Sequence, residues 1–293
     1  MDSDLDPRVQ VGEDLWALAC SVGQEPMAMK LVTPLPSRGG PASSGGRAAF
    51  RVEYGDGLRL KARRHRDLET AQRVLALRRF VASRHLPAMV ASQGACHLTE
   101  WIEGDSPDPD DPKLLATAGA LLGRMHQVDM LPEVQGYRFD YRHWGGRIRR
   151  NAEQLLEVGA LSGAEVEVLL GRLERQAPSH SEPVVIHADL APDNLVVSSG
   201  GELMLVDNEN LAVDAPGFDL ARTWYRWPMN ESRSAAFLSA YREHGDPGPF
   251  LGFAEFWTMV VLLEAGHFRV LRDTPDATAP LDRLRALMAG PGA

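Results

Sequence analysis

The chain has 293 residues, 31 basic against 40 acidic side chains, a formal net charge of -9 and 44% apolar residues. This composition argues against a disordered, collagen-like or coiled-coil chain, and the acidic balance gives no overall footprint for nucleic acid or an anionic membrane. The only cysteines, Cys20 and Cys96, lack metal-type spacing, which speaks against a disulfide scaffold or a cysteine zinc site and fits a reducing cytoplasm.

Residues 1–9 carry three aspartates and no basic-then-apolar run, so no secretory signal is predicted and the chain reads as cytoplasmic. A weak helical pattern covers residues 13–22. A strand is expected within residues 27–32, and a loop rich in Gly, Ser and Pro spans residues 36–47. Residues 48–54 and 58–61 alternate around Gly55-Asp56-Gly57, the pattern of a β-hairpin whose second strand ends at Lys61. Asp67 is a suitable N-cap for a helix reaching Phe80, with Glu69 in its first turn. Strands are expected at residues 88–92 and 97–102, and the acidic, proline-rich run 105–112 reads as a boundary. Beyond it, apolar stripes predict helices at residues 113–128, 144–158 and 163–176. No stretch is long and apolar enough for a membrane span; the most apolar, residues 253–263, reads as a core helix.

From Pro183 the pattern becomes strand, polar loop and strand: Val184-Val185-Ile186, then His187 to Asn194, then Leu195-Val196-Val197. A turn at residues 198–201 leads to the strand 203–206, which ends in Asp207-Asn208-Glu209-Asn210; the rest, apart from a loop at residues 212–217, reads as helices. Asp189 and Asn194 have the spacing of a kinase catalytic loop, in which an aspartate accepts a hydroxyl proton and an asparagine holds magnesium. Asp207, one hairpin later, supplies a second hard oxygen ligand. His187 reads as a brace for the loop, Asp219 as a residue that braces or caps it, and His126 as core. Only Lys30, Lys61 and Lys113 are lysines, so a lysine at the end of a strand stands out against arginine as the default cation.

With this order of features the chain resembles the aminoglycoside phosphotransferase family, over about residues 45–270. The matching segments are Leu58 to Lys61, a hinge-like Leu98 to Gly104, the loop His187 to Asn194, and Leu205 to Glu209. The resemblance implies an α+β, bilobal protein-kinase-like fold, with a β-rich nucleotide lobe at residues 1–103 ending in the hinge and a mainly helical catalytic and acceptor lobe at residues 104–293. It implies ATP, with GTP as an alternative donor, and Mg. In this reading Asp189 is the catalytic base, Asn194 and Asp207 are the metal ligands, and Lys61 contacts the α- and β-phosphates while pairing with Glu69. Glu100 and Ile102 offer hinge backbone groups to adenine. Gly45 and Gly46 are the loop glycines chosen to approach phosphate, although no clean Gly-x-Gly-x-x-Gly is present. Two departures from the family pattern are Ala188, where glycine is usual, and Asn208, where an aromatic is usual.

The partner implied is a small-molecule hydroxyl acceptor, with no nucleic acid or membrane partner and a monomer or homodimer as the assembly. Trp224, Tyr225 and Trp227 are candidate acceptor-binding residues, with core packing as the alternative; Arg142, Arg147, Arg149 and Arg150 are either an anion-facing set or a solvated helix face. An antibiotic acceptor leads, followed by a metabolite kinase of choline or homoserine type. A nucleotide-binding pseudokinase and a metal hydrolase built on His187, Asp189 and Asp207 are the rivals.

Overall fold

The computed structural model describes residues 11–32, 48–81, 85–129, 141–274 and 276–290. It divides into two compact units, residues 1–106 with 193–209 and residues 107–192 with 210–293. The division differs from a cut at residue 103 because the hairpin after Asn194 groups with the first unit. There β6 (Gly104–Asp105) pairs antiparallel with β8 (Leu195–Ser198), and β8 pairs with β9 (Leu203–Leu205). Gly104 is required at this pairing: a Cβ there would lie 2.0 Å from the Val197 carbonyl oxygen.

The first unit is built on a five-stranded antiparallel sheet in the order β1-β2-β3-β5-β4, from β1 (Ala28–Leu31), β2 (Ala48–Glu53), β3 (Arg59–Arg64), β4 (Met89–Gln93) and β5 (Cys96–Glu100). Strand period decides its two faces. Leu60 and Ala62 of β3, with Leu98 and Cys96 of β5, join Leu15, Leu18 and Ala19 of α1 (Glu13–Cys20) in one apolar core. The Tyr54 hydroxyl closes that core by donating to the Ala19 carbonyl at 2.8 Å. Lys61 and Arg63, one residue out of phase, therefore share the opposite face, in register with Thr99 and His97. Asp67 caps α2 (Leu68–Phe80) by accepting from Thr70 N at 2.7 Å, and the helix buries Thr70, Ala71, Val74 and Leu77.

The second unit is mainly helical. It comprises α3 (Pro112–His126), α4 (Tyr141–Glu157), α5 (Gly163–Gln176), α6 (Pro216–Arg226), α7 (Glu231–Arg242), α8 (Gly248–Leu251), α9 (Ala254–Leu271) and α10 (Ala279–Ala289). A two-stranded sheet joins β7 (Val184–Ile186) to β10 (Ala212–Asp214), so part of the segment expected to be a loop pairs as a strand. The α3 and α7 helices approach closely at Gly119, where a Cβ would lie 2.2 Å from the Phe237 carbonyl oxygen. The α9 helix is the expected core helix; its Trp257, Met259, Val260, Val261, Leu262 and Leu263 are all buried. Among the described residues no helix is long and apolar enough to cross a membrane.

Candidate active site

In the first unit, Lys61 reaches from β3 to the end of β9. Its ammonium donates to the Val206 carbonyl at 3.0 Å and lies 3.7 Å from the Asp207 carboxylate. Burial holds the Lys61 amine below the usual lysine range; the charge of Asp207 opposes that shift, while Arg63 and Arg78 reinforce it. The sequence reading missed Arg63. Its side chain is 5% exposed, donates to Asp207 at 3.0 Å and is ion-paired with Glu209. The signal was available as a second cation two residues after Lys61 on the same strand face.

Asn194, at the end of the short 3-10 turn Pro192–Asn194, is buried, and its carbonyl accepts from Val206 N at 2.9 Å. That bond continues the β8–β9 register, in which Leu195 pairs with Leu205, and brings the backbone of Asn194 beside the residue that precedes Asp207. Asn194 and Asp207 thus sit on adjoining segments and carry an amide oxygen and a carboxylate, the hard-oxygen groups that could hold a magnesium ion together with phosphate and water. Among the described residues no group of three or more His, Cys, Asp or Glu is placed to hold a metal. Asn208, at the position usually aromatic, closes the turn after Asp207: it is buried, and its Nδ2 donates to the Leu205 carbonyl at 2.7 Å.

Glu69 is exposed in the first turn of α2, and no ion pair joins it to Lys61 among the described residues. The inward face of α2 is set by Thr70, Ala71, Val74 and Leu77, which turns Glu69 away. Arg78, from the last turn of the same helix, instead donates to the Pro87 carbonyl, and burial holds its guanidinium down to about 10. At the hinge, Glu100 N donates to the Ala88 carbonyl at 3.0 Å and Trp101 N to the Arg59 carbonyl at 3.3 Å. Among the described residues the N–H and C=O of Ile102 make no backbone hydrogen bond. Gly45 and Gly46 lie outside the described residues.

In the second unit the loop after β7 is fixed from below by Asp219 of α6, which is fully buried. The Asp219 carboxylate accepts from His187 N and from Ala188 N, both at 2.8 Å, and Oδ2 lies 3.1 Å from His126 Nε2. Burial acts to raise the Asp219 carboxyl, but the hydrogen bond and charge of His126 and the charge of His187 outweigh it and hold the group below the usual carboxylate range. His126 Nδ1 lies 2.6 Å from the Tyr241 hydroxyl, so the expected core histidine is part of a buried polar chain. His187 braces the loop as expected, with Nδ1 accepting from Asp189 N at 3.3 Å. Ala188 has φ +61°, the left-handed region, which explains why glycine is usual at that position.

Asp189 is flanked by two arginines of α6 that the sequence reading did not single out. Arg226 Nη1 lies 3.3 Å and Arg222 Nη2 3.7 Å from Asp189 Oδ1, and Arg222 Nε donates to the Ala188 carbonyl at 2.8 Å. Helical spacing was the available signal: Asp219, Arg222 and Arg226 follow one another at intervals of three and four.

The aromatic acceptor candidates at the end of α6 are drawn largely into packing. Trp227 is 2% exposed and donates from Nε1 to the Pro109 carbonyl at 3.2 Å. Trp224 donates to Ser234 Oγ and packs against Phe237 and Phe250, and the Tyr225 ring carries the Arg283 guanidinium 5.5 Å from its centroid. Arg147 is ion-paired with Glu264, while Arg149 and Arg150 are exposed on α4. The side chain of Arg142 lies outside the described residues.

The model of the phosphotransferase enzyme family matches residues 40–251. Homoserine kinase of Zymomonas mobilis is 29% identical over 189 residues, covering 62% of this chain and 58% of that protein, so the match spans a little over half of that relative. Among solved structures, a choline/ethanolamine kinase family protein from Mesorhizobium loti superposes with a TM-score of 0.69 at 18% identity, covering 96% of each chain. The gentamicin-APH(2")-IIa complex superposes with a TM-score of 0.68 at 13% identity, covering 98% of this chain and 97% of the other. These likenesses show an α+β, protein-kinase-like fold.

Proposed function

We propose that this chain, a member of the phosphotransferase enzyme family, is a small-molecule kinase that transfers the γ-phosphoryl group of ATP, with Mg, to a hydroxyl of a small metabolite. The observation that carries this reading is the joint retention of Lys61, Asn194 and Asp207 in one unit and of a braced Asp189 in the other. In the reaction the acceptor oxygen attacks the γ-phosphorus, the bond to the β-phosphate oxygen breaks, and the hydroxyl proton passes to Asp189, giving a phosphomonoester and ADP. Lys61 neutralises phosphate charge, and Arg63 holds Asp207 and Glu209. Asn194 and Asp207 would hold the magnesium ion, which supplies charge neutralisation at the phosphates.

A metabolite acceptor of the homoserine or choline type has more support than an aminoglycoside, since a curated relative matched is a homoserine kinase. The negative net charge is the feature that keeps a polycation in view. A thermal-shift titration with ATP and GTP, with and without Mg, followed by ADP release across an acceptor panel, tests the reading. A magnesium-dependent shift with acceptor-stimulated release is expected. A nucleotide-independent melting curve, or a shift with no stimulated release from any hydroxyl acceptor, would contradict it.

A further inference from the structure

Two guanidinium groups stand within 4 Å of the carboxylate assigned to receive the acceptor's proton. Arg222 and Arg226 are one helical turn apart on α6, with side chains 21% and 31% exposed, and Asp189 is 14% exposed. The helix beneath them is fixed by Asp219 and Thr223, both buried, so the guanidinium groups project from a rigid base. Arg222 is further pinned through Nε to the Ala188 carbonyl, which leaves its Nη edge directed at Asp189.

The three charged groups sum to one positive charge. Such a cluster disfavours a cationic acceptor at this spot and attracts an anionic one, and the planar fork of arginine matches a carboxylate in geometry. We propose that Arg222 and Arg226 hold a carboxylate of the acceptor beside the hydroxyl that Asp189 serves, so that the substrate is a hydroxy acid or hydroxy amino acid. The inference rests on the transfer reading above and narrows its acceptor class. A carboxylate bound to the Arg226 fork at about 2.8 Å lies within about 6 Å of Asp189 Oδ1, the reach of a short hydroxy acid. The aromatic surface that would have served a sugar or ring acceptor is largely committed to packing through Trp224 and Trp227.

The test measures ADP release by the full chain with ATP and Mg, comparing kcat/KM across matched acceptors. L-homoserine, L-serine and D-glycerate form the carboxylate arm. 3-Amino-1-propanol, which is homoserine without its carboxylate, choline and kanamycin form the other. The best carboxylate acceptor is expected to exceed 3-amino-1-propanol by about 100-fold, the worth of one or two charge-assisted hydrogen bonds. Arg226→Gln and Arg222→Gln are each expected to collapse that preference by about tenfold or more, mainly through acceptor KM, with Arg226→Lys retaining part of it. A loss of fold or of loop geometry would lower all acceptors together and leave the ratio unchanged. Should the variants not fold, wild type provides the second readout: competitive inhibition by 2-aminobutyrate, homoserine without its hydroxyl, is expected, and no inhibition by it would overturn the inference.

Equal or better use of 3-amino-1-propanol, choline or kanamycin by the wild type would overturn the anionic-acceptor inference while leaving the transfer reading intact. No acceptor-stimulated release in either arm would overturn both.

Discussion

Replacing Asp219 by Asn separates the support of the catalytic loop from its chemistry. The carboxylate accepts from His187 N and Ala188 N at 2.8 Å each, with His126 Nε2 at 3.1 Å, in a fully buried position. An asparagine has one acceptor oxygen, so in either orientation its amide N–H group faces a backbone N–H donor. One charge-assisted hydrogen bond is lost, about 1.5–3 kcal/mol, and a buried donor is orphaned at about 1–3 kcal/mol. Together these give about 2.5–6 kcal/mol, bracketing the roughly 3–5 kcal/mol typical of breaking a buried charged network. Urea denaturation should show this loss at neutral pH. Steady-state kinetics should show kcat lowered by about 10- to 100-fold, because Asp189 is positioned through His187 and Ala188, while KM for ATP changes little.

The pH dependence gives a second check on the same residue. With its folded-state carboxyl below the usual range, Asp219 contributes stability that is fully present above the ordinary carboxylate pKa of about 4 and is lost as pH falls toward the folded value. The Asp219→Asn protein should therefore lose stability less steeply than wild type below about pH 4. A variant within 1 kcal/mol of wild type with full kcat would refute the argument that this carboxylate organises the loop.

Lys61→Met should lower kcat/KM for ATP by about 100-fold or more while leaving stability within about 1 kcal/mol, because a desolvated ammonium is removed and Asp207 keeps Arg63; ADP-release kinetics and a melting curve check both halves. Arg63→Met should instead cost about 3–5 kcal/mol in chemical denaturation, since it strips Glu209 and Asp207 of a buried partner. Ala188→Gly should stabilise by about 0.5–1 kcal/mol, as relief of the left-handed strain exceeds the added chain entropy; no gain in the denaturation midpoint would count against the strain.

What was legible in the sequence followed from short-range rules. The Gly55-Asp56-Gly57 turn, the Asp67 cap and the apolar stripe of residues 163–176 specify their elements locally, and these form, although the second hairpin strand runs past its expected end at Lys61 to Arg64. The loop from His187 to Asn194 was readable because its polar residues interrupt two apolar strands. Pairings that depend on which face a residue takes were harder. Glu69 is a first-turn residue whose side chain is directed by the burial of Thr70 and Ala71, so spacing along the chain did not reveal that it stands apart from Lys61. Arg63 takes the role of holding Asp207 and Glu209, and its position follows only from the phase of β3 against the apolar core. The strand Ala212–Asp214 looks like loop in the sequence because three residues carry no period, and only its pairing with β7 defines it. The place of Arg222 and Arg226 follows from Asp219, whose bonds to the loop fix the side of α6 that faces Asp189.

The most direct test of the central claim is Asp189→Asn, measured by transfer kinetics with the best acceptor and by nucleotide affinity in the presence of Mg. The account predicts a loss of transfer of about 10²- to 10⁴-fold, the range for removing a general base, with the dissociation constant for ATP unchanged within about threefold. A full-rate Asp189→Asn enzyme would contradict it.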